Sequence, residues 1–223
     1  MPLADIQTNL ANIRQRIDRA CQRAGRSPDS VTLITVTKTI DAPVVEAAFT
    51  SGLRDFGENR VQEAGRKIKQ LSYLQPRPHW HLIGHLQSNK VKSAVEIFDV
   101  IHSVDSLSLA EEINRRTPAR KPVLLQVNVA AEDTKSGFLL AEIESAFKAI
   151  SIMPGLQVCG LMTIAPLVKN AELVRPVFRR LRELRDTFHL EHLSMGMTDD
   201  FEVAIEEGAT LIRVGRAIFG ERR

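Results

Sequence analysis

The sequence predicts an α/β fold, a closed (β/α)8 barrel of parallel strands preceded by one extra helix. Three observations carry this. Apolar, β-branched runs alternate strictly with amphipathic helical stretches along the whole chain, and such alternation implies a parallel sheet with right-handed crossovers. The runs number eight, the count at which a parallel sheet closes into a barrel of the TIM type. The turn after the first strand, "TKTIDAP", has no glycine-rich signature, which disfavours the runner-up, an open doubly wound sheet.

The elements follow in order. Leu3, Ile6, Leu10, Ile13 and Ile17 recur at steps of three and four, and Ala20 or Cys21 with Ala24 prolong the stripe. This is the pattern of a long amphipathic helix, ended at Gly25 and Pro28. "VTLITVTK" is the first strand, and "DAPVVEAAFTSG" a helix with Asp41 at its N-cap and Gly52 past its end. "LRDFGEN", "HWHLIG", "VIHSVDS", "PVLLQVNVA", "LQVCGLMTI", "HLSMG" and "LIRVG" are the further strands. The helices between them are "NRVQEAGRKIKQL", "QSNKVKSAVEIF", "SLSLAEEINRRT", "LLAEIESAFKAI", "AELVRPVFRRLRELRDTF" and "TDDFEVAIEEG". Leu107, Ala110 and Ile113 are expected on the inner face of one. Leu173, Val177, Leu181, Leu184 and Phe188 are expected on that of another, with Pro176 in its first turn or at a kink. No linker, repeat or low-complexity tract interrupts the chain, so residues 1–223 are expected to form one domain.

Composition bounds the function. Of 223 residues, 43% are hydrophobic and 26% charged, an ordinary globular balance. The net charge of +3 is spread along the chain rather than massed, and a single Trp and a single Tyr offer no stacking platform, so nucleic acid is not an expected partner. The basic stripe in "RPVFRRLRELRD" reads as a solvated outer helix face. Cys21 and Cys159 have neither metal-ligand nor disulfide-framework spacing, which points to a reduced, cytoplasmic compartment. The amphipathic N-terminus is not a signal peptide, and no apolar run is long enough for a membrane span.

In such a barrel chemistry sits at the C-terminal strand ends and the loops that follow. Those ends bear Lys38, Glu58, Asn59, His81, Gly84, His85, Ser103, Asp105, Asn128, Met162, Thr163, Ser194, Gly196, Met197, Arg213, Gly215 and Arg216. They form no metal-type cluster. Lys38 has two readings: a rim lysine snorkelling to water, or an amine whose pKa falls on desolvation so that it attacks an aldehyde. "LSMGMTDDF" supplies small residues and the hydroxyls of Ser194 and Thr198, and "RVGRAIFG" supplies Gly215 and Arg216, each just before a helix. Barrels often hold phosphate in the loops after strands seven and eight. A lysine on strand one beside such a cradle suggests a phosphorylated aldehyde, pyridoxal phosphate (PLP). Arg213 then donates a hydrogen bond to the pyridine nitrogen and keeps it unprotonated; its alternative is a salt bridge inside the barrel. His81 alternates with Trp80 and faces inward in position to line the cofactor, Asn59 is placed to reach its phenolic oxygen, and His85 and Lys90 lie where anions could meet them.

"VTKT", "FGENRVQE", "WHLIGHLQSNK", "IHSVDS", "GLMTIAP" and "LSMGMTDDFEVAIEEGATLIRVGRAIFGER" together resemble the YggS/PROSC family of PLP-binding, or PLP homeostasis, proteins, over essentially the whole chain. The resemblance implies PLP fold type III, similar to the N-terminal barrel of alanine racemase, with PLP as a covalent aldimine at Lys38. It implies that Ser194, Met195, Gly196, Met197, Thr198, Gly215 and Arg216 surround the phosphate, that Arg213 meets the pyridine nitrogen, and that Asn59, His81 and Met162 line the ring. Alanine racemases continue into a further domain and use a tyrosine as second base. Here the single tyrosine, Tyr73, precedes strand three, at the wrong end of the barrel. The resemblance therefore implies a monomeric carrier that holds PLP and exchanges it, with PLP-dependent apoenzymes as candidate partners and no robust catalysis. The alternative is a PLP-dependent amino-acid racemase or related isomerase.

Overall fold

Eight short strands, five of them rich in Val, Ile, Leu and Thr, pair edge to edge until the sheet meets itself. The computed structural model describes residues 3–132 and 135–220; Glu221 and Arg222, the end of the last motif quoted above, lie outside this range. The strands are β1 (Thr32–Val36), β2 (Asp55–Glu58), β3 (His79–Leu82), β4 (Val100–Val104), β5 (Lys121–Gln126), β6 (Leu156–Met162), β7 (His192–Ser194) and β8 (Leu211–Val214). All pair in parallel in sequence order, and β8 returns to β1 to close the barrel. The helices are α1 (Leu3–Arg23), then one after each strand: α2 (Ala42–Thr50), α3 (Val61–Gln70), α4 (Val91–Ile97), α5 (Leu107–Arg116), α6 (Ile143–Ser151), α7 (Arg175–Thr187), α8 (Phe201–Glu206) and α9 (Arg216–Phe219).

Parallel strands covered by helices are buried on both faces. The outer faces, with Phe56, Trp80, Ile101, Val123, Leu193 and Ile212, join the helix stripes in one apolar layer. Ile34, Leu124, Met162 and Leu211 form a separate cluster at alternate strand positions that point into the barrel. The helix after β8 has only four residues, and α1 lies beside it, packed on α2, α8 and α9. Its stripe of Ile6, Leu10, Ile13 and Ile17 is buried. Polar ties hold it in place: Asn9 Nδ2 donates to Ile218 O at 2.9 Å, and Arg16 pairs with Glu202 at 2.9 Å.

Several local expectations shift. Leu107 is exposed, and α5 buries Leu109, Ala110 and Ile113 instead, because the chain enters this helix at Ser106, whose hydroxyl caps the Leu109 N–H. Leu173 is also exposed: residues 171–174 form a 3-10 turn, whose tighter winding takes it off the α7 stripe and leaves Val174, Phe178 and Leu181 buried. Pro176 sits in the first turn of α7. The α7 basic stripe is engaged rather than simply solvated, since Arg175, Arg179 and Arg182 converge on Glu207 beyond α8. Asp41 occupies the N-cap of α2 without a side-chain capping bond. Among the described residues, no helix is long and apolar enough to cross a membrane.

Candidate functional site

Lys38 lies two residues beyond β1, in a turn whose next residue, Thr39, has φ +64°. A β-branched residue in the left-handed region is strained and persists only where its surroundings hold it. The holding groups come from β2 and α3. Thr37 Oγ1 donates to Glu58 Oε1 at 2.7 Å, Lys67 Nζ donates to Thr37 O at 2.7 Å and to Glu58 Oε1 at 2.5 Å, and Glu63 Oε1 accepts the Thr39 N–H at 2.6 Å. Glu58 and Lys67 are buried. Burial pushes the Glu58 carboxyl pKa up, and the Lys67 hydrogen bond and charge oppose that shift. The second Glu58 oxygen, Oε2, has no partner among the described residues. The brace therefore fixes the backbone on both sides of Lys38.

Lys38 opens onto a cavity of about 390 Å³, shared with Val36, Met197, Thr198, Asp199, Arg213, Gly215 and Arg216, within the size range of cofactor pockets. Its walls are the ends of β1, β7 and β8. Gly196 shapes the β7 side: its φ is +90°, and a Cβ there would lie 2.6 Å from that of Ala204, so only glycine permits this turn. Asp200 Oδ1 accepts the Met197 N–H at 2.6 Å, and Asp199 pairs with Arg216 at 2.5 Å. Burial raises the Asp200 pKa.

Arg213 forms the inner wall. Burial lowers its pKa to about 10, against the opposing charge of Asp200, so it stays a cation at neutral pH. It donates from Nη1 to Ser194 Oγ at 2.6 Å and from Nη2 to Thr163 O at 2.8 Å. Ser194 Oγ lies 2.9 Å from His102 Nδ1, His102 Nε2 lies 3.0 Å from His81 Nδ1, and His81 Nε2 lies 3.1 Å from Asp55 Oδ1.

The cavity thus brings together Lys38, Met197, Thr198, Arg213, Gly215 and Arg216 of the twelve residues expected at the site. Ser194 and Met195 are fully buried beneath it, and Ser194 is occupied by Arg213 and His102. Asn59 lines an adjoining cavity of about 250 Å³ with Gly84, His85, Asn128 and Lys135. Met162 packs in the barrel interior with Ile34, Leu124 and Leu211. His81 does face inward, but β3 registers it with Gly57 of β2, and from there it reaches Asp55 at the start of β2 rather than the Lys38 cavity. Tyr73 is exposed ahead of β3, at the end of the barrel away from the cavity. Sequence reasoning missed Lys67, Asp199, Asp200 and His102. Two had a signal: Glu63 and Lys67 stand four apart on a helix, and alternation turns His102 inward with Val100.

The model of the alanine racemase N-terminal domain family matches residues 8–223. The pyridoxal phosphate homeostasis protein of Aquifex aeolicus is 44% identical over 223 residues, spanning 96% of this chain and 97% of that protein. The solved structure of PipY from Synechococcus elongatus with PLP bound is 39% identical, covers 96% of this chain and 100% of its own, and superposes with a TM-score of 0.83. Alanine racemase from Corynebacterium glutamicum, at 19% identity and a TM-score of 0.72, covers 99% of this chain and 62% of its own; that likeness is one of fold.

Proposed function

The chain belongs to the alanine racemase N-terminal domain family, and within it to the pyridoxal phosphate homeostasis proteins; from this premise we propose that it binds PLP and takes part in keeping PLP available, without robust catalysis. The observation that carries the reading is the convergence of Lys38 and Arg213 on one cavity with Thr198, Gly215 and Arg216. The donor set fits the group: an amine for an aldehyde, a guanidinium for a ring nitrogen, and a second guanidinium with a hydroxyl and close backbone for a phosphate. Lys38 is the attachment residue. Its amine condenses with the aldehyde, a C=N bond replaces C=O, and one water leaves. Thr198, Gly215 and Arg216 hold the phosphate on the β7–β8 side, with the Met197 segment as their support. Ser194, Met195 and Gly196 serve from beneath, by shaping that segment and holding Arg213. Asn59 bounds the barrel mouth from a second cavity, while Met162 and His81 lie below it in the barrel interior and act on the ring side only indirectly.

A cationic Arg213 donates to a pyridine nitrogen and cannot accept from it. The nitrogen then stays unprotonated, PLP is a weak electron sink, and holding is favoured over turnover. We read the chain as one monomeric unit that passes PLP to apoenzymes. Sedimentation tests the first part of that reading, and recovery of a PLP-dependent apoenzyme's activity on mixing tests the second.

The decisive experiment is borohydride reduction followed by peptide mapping. The wild-type protein should be yellow and carry the reduced adduct on Lys38, and Lys38→Ala should carry none. An adduct that persists in Lys38→Ala would assign the attachment to another lysine. The racemase reading predicts stereospecific exchange of amino-acid α-protons into D2O, and the holding role predicts none above background.

A further inference from the structure

The polar series beneath the cavity draws on five strands: Asp55 from β2, His81 from β3, His102 from β4, Ser194 from β7 and Arg213 from β8. His81, His102, Ser194 and Arg213 are all buried. Buried polar groups must find partners, and here the partners lie in a single file with no gap wider than 3.1 Å.

The ends of the file fix its direction. A guanidinium only donates, and an ionised carboxylate only accepts. Ser194 Oγ accepts from Arg213, and its own proton has His102 Nδ1 as its acceptor in the series. His102 then carries its proton on Nε2 and donates to His81 Nδ1. His81 likewise carries its proton on Nε2 and donates to Asp55. Every contact is satisfied with both rings neutral. The opposite direction would set an unprotonated His81 nitrogen against the Asp55 carboxylate and leave the Ser194 hydroxyl proton without an acceptor in the series. Burial above all, with the Arg213 cation close by, holds the His102 pKa well below the ordinary imidazole value, in keeping with a neutral ring. His79 also approaches Asp55, at 3.5 Å.

We propose that His102 and His81 are positioning residues for Arg213: anchored on Asp55 at the far end of the barrel, they turn the Ser194 hydroxyl so that a lone pair faces the guanidinium. With Nη1 on Ser194 and Nη2 on Thr163 O, the remaining Arg213 N–H groups are left for the cavity. The relay itself is independent of any ligand, and its consequence for the cofactor rests on the PLP reading above.

Two measurements test it. The first uses 15N-histidine-labelled protein free of PLP. Through-hydrogen-bond nitrogen–nitrogen coupling identifies the His102–His81 pair without any variant. The expected result is a protonated Nε2 on one ring coupled to an unprotonated Nδ1 on the other, with both rings neutral at neutral pH. A protonated Nδ1 as the donor, an imidazolium in the pair, or no coupling at all would overturn the relay. The second compares PLP-loaded His102→Asn and His102→Leu. Asparagine restores an oxygen acceptor near the Nδ1 position, and leucine does not. The leucine variant should shift the visible band and lose PLP several-fold faster, while the asparagine variant should stay close to wild type. Equal behaviour of the two, with Lys38 still labelled by borohydride in both, would overturn the positioning role. A wild-type protein that takes up no PLP would instead overturn the reading of the cavity, and the direction of the relay is decided on the PLP-free protein in either case.

Discussion

Burial keeps the His102 ring neutral in the folded protein, with a pKa well below the usual value, and this ties stability to pH. In the unfolded chain the ring takes up a proton near pH ~6.5. Below that pH the unfolded state binds a proton that the fold refuses, so stability is fully present above about pH 6.5 and falls on acidification. One such group contributes a slope of up to about 1.4 kcal/mol per pH unit. Urea denaturation between neutral and mildly acidic pH should therefore be less steeply pH-dependent in His102→Asn than in wild type. Parallel curves would refute the assignment. At Gly196, an Ala substitution must both adopt φ +90° and displace the Ala204 Cβ 2.6 Å away. A loss of about 1–3 kcal/mol is expected, together with weakened PLP retention, read from the same denaturation curves and from dialysis. At this scale the sequence was informative about which groups face inward, and silent about which of them meet. Alternation alone turns His102 into the barrel, but its partner Ser194 is 92 residues away, and only barrel closure brings them together.

Among the elements, the junction of β1, β2 and α3 carries the heaviest electrostatic commitment. Lys67 and Glu58 are an almost fully buried ion pair with side-chain exposures of 6% and 0%, so solvent screens them little. Removing one partner of such a pair typically costs about 3–5 kcal/mol, because the other charge is left stranded. Lys67→Met should lose stability on that scale, and Lys67→Met with Glu58→Leu should recover much of it, both measured by urea denaturation. The double variant should nevertheless hold PLP more loosely, because the Thr37–Thr39 turn has lost its pins. Double-variant protein that matched wild type in PLP retention would reduce the brace to a purely structural role. The eight βα units were legible because five strands are apolar runs with β-branched residues and amphipathic stripes separate them, while β2, β3 and β7 follow from the alternation. The brace was not, because a lysine at an i, i+4 spacing from Glu63 looks the same on a solvated face as on a buried one. The entry into α7 was misread for a related reason: a 3-10 turn and an α-helical turn share apolar residues and differ only in winding.

At the scale of the whole barrel, the seam between β8 and β1 is where the molecule is most dependent on a distant segment. In a ring of eight βα units each strand pair is covered by the helices that follow it. The helix after β8 spans only Arg216–Phe219, too short to cover the seam, and α1 lies there instead, between α2 and the α8–α9 pair. α1 therefore closes the seam that the four-residue α9 leaves open, and the same seam carries both Lys38, just past β1, and Arg213, on β8. Leu10 is buried on the α1 stripe, and Leu10→Ala should lose about 2–5 kcal/mol by removing apolar contact and leaving a cavity. If α1 acts as the missing helix, the loss will not be spread evenly. Hydrogen exchange should quicken first at the amides of β1 and β8, and PLP should be released faster even while most of the protein remains folded. Leu109→Ala, on α5 across the barrel from the seam, serves as the control: it is similarly buried, and should lower global stability by a similar amount without that local signature. Uniform exchange in both variants would mean that the seam is no weaker than the rest of the barrel, and that α1 adds stability without guarding the site.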